Sequence, residues 1–139
     1  NVPSTMEGLL SLSGVGRKTA NIILFKGFGK NEGIAVDTHV IRLSNLIGVV
    51  DSDSPEKIEK QLMKLTPKPY WGKLTDLFIQ HGRKVCIARR PDCGKCAIRK
   101  YCDYGTTRTL LDRIKTGCKF PGWKGRAYRT RSELYGKRA

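Results

Sequence analysis

Four cysteines, Cys86, Cys93, Cys96 and Cys102, fall within seventeen residues in the pattern C-x6-C-x2-C-x5-C, and Arg83, Lys84, Arg89, Arg90, Lys95, Arg99 and Lys100 lie among them. Four thiols in one short loop form a donor set for an inorganic centre. Disulfides fit poorly, because no secretory start is legible and five cysteines in total leave one over. Structural zinc usually joins two short knuckles, whereas only Cys93 and Cys96 are spaced that closely. A cubane iron–sulfur cluster, in which each iron takes one cysteine, suits the spacing better. Spacing alone leaves zinc open beside the cluster. Cys118 stands outside the pattern and reads as an ordinary thiol.

A second chemical signal is the run LSGVGRKT at residues 12–19. Glycines at 14 and 16 permit positive φ angles and close backbone approach, while the free N–H groups that open the next helix suit a phosphate. Gly14, Val15, Gly16, Arg17 and Thr19 are therefore candidates for gripping a nucleic-acid backbone without reading bases. Such a turn is more often a plain connection between helices, so it gains meaning only from its surroundings. Lys18 offers an amine that, when uncharged, attacks a sugar carbon and forms an imine. In the bland reading it is a solvated first-turn lysine. Asp37, just before Thr38, is either a carboxylate partner for that amine or merely a helix cap. His39 and His81 are isolated and read as packing or hydrogen-bonding residues.

Charge names a class of partner. The 139 residues carry 27 Lys and Arg against 12 Asp and Glu, a net +15 that exceeds what solubility requires and points to a polyanion. Nucleic acid is the default, with anionic lipid the alternative. Residues 105–139 hold ten of those cations against two acids, interleaved with Phe120, Trp123, Tyr128 and Tyr135, as in a strand-binding extension. The tail lacks a sustained apolar period and is broken at Pro121-Gly122 and Gly125, so it is expected to be poorly ordered. No apolar run approaches the roughly 20 residues needed to cross a bilayer. The chain is expected to be a monomer in a reducing compartment: cytoplasm and nucleoid, or nucleus or mitochondrion in a eukaryote.

The elements that must position these groups read as all-α. Thr5 or Ser4 caps a short helix through Leu12, the glycine hairpin follows, and a second helix runs from Arg17 to Lys26 until Gly27 and Gly29 end it. After a loop over residues 30–35, a third helix spans Thr38 to about Leu46. Ser54-Pro55-Glu56 opens a fourth, with Ile58, Leu62 and Leu65 on one stripe, until Pro67 and Pro69 stop it. From Tyr70 to about Lys84, the set Trp71, Leu74, Leu77, Phe78 and His81 recurs at helical spacing and leads into the cysteines.

The ordered set LSGVGRKTAN (12–21), IAVDTHV (34–40), HGR (81–83) and the cysteine loop resembles the endonuclease III branch of the helix-hairpin-helix DNA glycosylases, over about three quarters of the chain. That resemblance implies a helix-hairpin-helix followed by a helical domain closed by a [4Fe-4S] cluster loop. The parts fall at 1–29 (hairpin, the end of a six-helix barrel), 30–85 (helical), 86–104 (cluster loop) and 105–139 (basic tail). It further implies excision of oxidised pyrimidines from double-stranded DNA and nicking of abasic sites, with Lys18 as nucleophile, Asp37 assisting and Cys86, Cys93, Cys96 and Cys102 as cluster ligands. Lys18 separates this reading from the adenine-excising relatives, which lack a lysine there. The seven cations around the cysteines are then candidate phosphate contacts.

Three features depart from the family pattern. Ser13 replaces the usual proline, the basic tail is additional, and the family's upstream block, with the N-terminal helix and most of the barrel, has no counterpart in these residues, so they are expected to be the C-terminal part of such an enzyme. The expectation is a chain that binds DNA and holds its cluster but excises damaged bases poorly. A noncatalytic iron–sulfur DNA-binding module is the competing reading.

Overall fold

A computed structural model describes residues 1–106; most of the basic tail, from residue 107 on, and Cys118 lie outside the described residues. Within them the chain is helical and contains no strand, only an isolated antiparallel bridge between Cys86 and Pro91.

Helix α1 (Met6–Leu10) begins at Thr5, whose hydroxyl accepts the Gly8 N–H at 3.2 Å. It stops two residues earlier than the sequence suggests. The Leu12 and Val15 N–H groups turn to the carbonyls of Leu9 and Leu12, and Gly14 adopts φ +78° to reverse the chain. Helix α2 (Arg17–Phe28) starts at Gly16 and runs through Gly27, which the sequence reading placed beyond its end; Gly29, in the left-handed conformation, terminates it. Leu9, Ala20 and Leu24 are buried between α1 and α2, with Met6, Val15 and Ile23 packed around them. This small core, at about 1.5–3 kcal/mol per fully buried large aliphatic side chain, holds the hairpin closed.

The second and larger core joins the remaining elements. Helix α3 (Thr38–Ile47), helix α4 (Pro55–Leu65) and helix α5 (Trp71–Lys84) enclose Ile34, Val36, Val40, Val50, Ile58 and Leu62. Ile34, Ala35 and Val36, within and just after the expected loop, are buried, and the Thr75 hydroxyl donates to the Ala35 carbonyl at 2.9 Å. Trp71, Leu74 and Phe78 pack inward as their spacing predicts, but Leu77 is 60% exposed and Leu65 62%, so both leave the stripes assigned to them. A 3-10 turn (Lys68–Tyr70) turns the chain between α4 and α5. Where α5 meets α2, Gly72 lies against the Phe25 ring so closely that no Cβ fits, and its N–H donates to Asn31 Oδ1 at 3.1 Å.

Candidate functional site

Helix α5 delivers the chain to the cysteine loop, and the Cys86 N–H continues its hydrogen bonding by donating to the His81 carbonyl at 2.8 Å. A short 3-10 turn (Arg99–Tyr101) precedes the last cysteine. All four thiols, separated by up to sixteen positions, line one cavity that is partly open to solvent. Its remaining wall includes Leu43, Leu46 and Ile47 of α3 and Val85 and Ile98 beside the loop. The four cysteines are free, and among the described residues no three His, Cys, Asp or Glu side chains converge as they would on a lone metal ion.

Each of three thiols has a polar neighbour. Arg42 Nη1 donates to Cys86 Sγ at 3.6 Å, His81 Nε2 lies 3.5 Å from Cys96 Sγ, and the Gly105 N–H donates to Cys102 Sγ at 3.4 Å. Burial pushes the Cys86 thiol up from its ordinary range, against the pull of the Arg42 charge and its hydrogen bond. Burial likewise raises Cys102, against the N–H groups of Gly105 and Tyr104. Desolvation first, then the Arg42 charge, lowers His81, so its ring favours the neutral form. Unliganded, Cys86 and Cys102 hold their protons more tightly than a free thiol, and a metal that takes them as thiolates must displace those protons.

The hairpin presents its amine to solvent. Lys18 is exposed in the first turn of α2, and Gly16 has no side chain to cap the N–H groups of Arg17, Lys18 and Thr19. Arg17, a candidate phosphate contact, directs Nε to Glu59 Oε2 of α4 at 2.5 Å, and its side chain is 48% exposed against 5% for Glu59. That hydrogen bond, despite some desolvation, raises the Arg17 pKa. Glu59 Oε1 accepts from Asn21 Nδ2 at 2.9 Å. Of the predicted hairpin contacts, Val15 turns its side chain into the small core and gives its N–H to Leu12, whereas Gly14, Gly16 and Thr19 are exposed. Asp37 is half-buried at the start of α3, and its Oδ1 accepts the Val40 N–H at 2.8 Å, the capping role that was the bland alternative.

Six of the seven cations near the cysteines, Arg83, Lys84, Arg89, Arg90, Lys95 and Lys100, are exposed. Lys95 lies 3.8 Å from Asp92, and Lys100 sits over the Tyr101 ring at 4.8 Å. Arg99 differs, since it lines the thiol cavity.

Two polar residues of consequence escaped the sequence reading. Arg42 is buried on α3, with Nη2 donating to the Gly82 carbonyl at 3.4 Å, and Glu59 is buried on α4. Each looks like an ordinary surface charge on an amphipathic helix. Their one sequence signal is position: Glu59 directly follows the buried Ile58, and Arg42 lies between Ile41 and the buried Leu43.

Comparison with known proteins agrees with this geometry. A family model described as "HhH-GPD superfamily base excision DNA repair protein" matches residues 10–68. Endonuclease III of Synechocystis is 50% identical over 101 residues, covering 73% of this chain and 46% of that protein; the Thermotoga maritima enzyme is 45% identical over 103 residues, covering 74% and 48%. The chain spans about half the length of these curated relatives. Among solved structures, a trapped endonuclease III–DNA covalent intermediate superposes with a TM-score of 0.71 at 41% identity, covering 78% of this chain and 51% of that one.

Proposed function

Because the chain belongs to the HhH-GPD superfamily of base excision DNA repair proteins, we propose that it acts, alone or as part of a longer protein, as a DNA glycosylase and abasic-site lyase. Its substrate is duplex DNA carrying oxidised pyrimidines or abasic sites. The observation that carries this reading is Lys18, solvent-facing in the uncapped first turn of a helix entered through a glycine hairpin. A phosphate held by the N–H groups and the positive end of α2 would bring the neighbouring sugar to that amine.

In the proposed reaction, neutral Lys18 Nζ bonds to C1′ of the sugar. The C1′–N bond breaks, and its electron pair leaves with the base, which takes a proton. Ring opening and loss of the amine proton give an imine, and the adjacent C2′–H, acidified by it, is removed as the 3′ phosphate departs with the C3′–O electrons. Asp37, held by its bond to the Val40 N–H, is suited to stabilise positive charge on the sugar and to move protons.

Cys86, Cys93, Cys96 and Cys102 would hold a [4Fe-4S] cluster. Their placement around one cavity, together with the C-x6-C-x2-C-x5-C spacing, supports this assignment, because each iron of a cubane takes one thiolate. When bound, the cluster supplies iron–thiolate bonds that stiffen the loop and thereby fix Arg89, Arg90 and Lys95 on its outer face.

Borohydride reduction in the presence of an abasic duplex tests the reaction. A covalent protein–DNA adduct is expected, and Lys18→Gln should abolish it. DNA binding without any adduct would instead favour a noncatalytic module. Visible absorption with an iron and sulfide count tests the cofactor separately.

A further inference from the structure

Glu59 is a carboxylate with 4% of its surface exposed, and the fold is shaped to admit it. One oxygen accepts Arg17 Nε and the other accepts Asn21 Nδ2. Arg17 and Asn21 stand four residues apart and so share a face of α2, one turn above the other. The carboxylate therefore spans the first turn of that helix from α4. Gly33 borders the group so closely that a Cβ there would collide with the Glu59 and Asn21 side chains. The Asn21 amide is orientated by the same carboxylate: turning it over would set Oδ1, which is buried and has no other partner, against Glu59 Oε1.

We propose that Glu59 is a positioning residue for the lyase step: by clasping Arg17 and Asn21 it sets the rotation of the first turn of α2, and with it the direction in which Lys18 leaves the helix. This rests on the lyase reading above. Lys18 lies between the two clasped residues in sequence, about 100° round the helix from Arg17. A first turn without a side-chain cap has few other restraints, so a rotation small enough to leave the fold intact moves the amine relative to a sugar carbon. Phosphate capture by exposed cations tolerates that movement, whereas bond formation at C1′ does not.

The test is single-turnover borohydride trapping on an abasic duplex, with the dissociation constant for the same duplex measured in parallel. Glu59→Gln, which keeps volume and one acceptor, should slow trapping about tenfold while leaving Kd within about twofold. Arg17→Lys keeps a cation for phosphate but loses the Nε donor, so it should also slow trapping, and at saturating protein, where any change in its Kd drops out. The double variant should be no slower than its slower parent, since both changes break one contact. If Glu59→Gln does not fold, Arg17→Lys reads the same contact from its half-exposed end. Trapping at the wild-type rate in the folded variants, with Lys18→Gln still abolishing the adduct, overturns the clasp and leaves the lyase intact. Failure of the wild-type chain to form any adduct overturns the lyase, and the clasp with it.

Discussion

At the entrance to α3, one oxygen of Asp37 accepts the Val40 N–H at 2.8 Å, so the side chain serves the helix whatever it does for the chemistry. Two substitutions separate these roles. Asparagine keeps an oxygen for the cap and loses the charge, whereas alanine loses both. Asp37→Ala should lower stability by about 1 kcal/mol and Asp37→Asn by a few tenths, read from denaturant midpoints. If the carboxylate stabilises charge on the sugar, both variants should trap abasic DNA slowly and to a similar degree. Trapping that tracked stability, with Asp37→Asn close to wild type, would reduce Asp37 to a cap. Lys18 needs no such separation, because it is exposed and its removal leaves the core untouched.

Among the elements, the junction of α2 and α5 depends on an absent side chain. Gly72 lies against the Phe25 ring, and a methyl group there has to displace the ring or the helix. Gly72→Ala should therefore cost about 1–3 kcal/mol, even though alanine favours helix by up to about 1 kcal/mol. Gly27, on the same α2, meets nothing within 4 Å, so Gly27→Ala should stabilise by up to about 1 kcal/mol. Urea midpoints of the two variants should move in opposite directions. The same glycines mark what the sequence made legible. Periodicity, Thr5, Asp37 and Pro55 located helices α1 to α5, because capping and apolar spacing are local. Gly27 was read as a stop, since a glycine that ends a helix and one carried through it look alike until the next residue's hydrogen bonds are known. Leu65 and Leu77 fit their stripes by spacing but face outward, because a period does not reveal which edge of a stripe finds a partner. The four cysteines were legible as one motif, and their thiols line a single cavity. Glu59 and Arg42 were not, because a buried charge differs from a solvated one only through partners dozens of residues away: 42 from Arg17 to Glu59, and 44 from Arg42 to Cys86.

Over the whole molecule, the proposed DNA binding can be read through its response to salt. If a chain of +15 binds DNA, it does so with counterion release, and each neutralised phosphate adds about 0.9 to the slope of log K against log salt. The exposed cations of the cysteine loop do not contribute alike. Lys95 shares its charge with Asp92 at 3.8 Å, whereas Arg89 and Arg90 stand exposed in the turn between the first two cysteines. Replacing Arg89 and Arg90 by glutamine should reduce the slope by about 1.8 if each meets one phosphate, and should weaken binding equally on undamaged and abasic duplexes. Lys95→Gln should change the slope less. Cys93→Ser removes one proposed cluster ligand and leaves every Lys and Arg of the loop in place, so it separates the loop's geometry from its cations. If the cluster fixes these arginines against the backbone, the serine variant should lose iron and show the shallower slope of the double glutamine variant, measured by fluorescence anisotropy across a salt series. A wild-type slope in iron-free protein would mean that the arginines find phosphate without the cluster, and would leave the thiol cavity a role in stability alone.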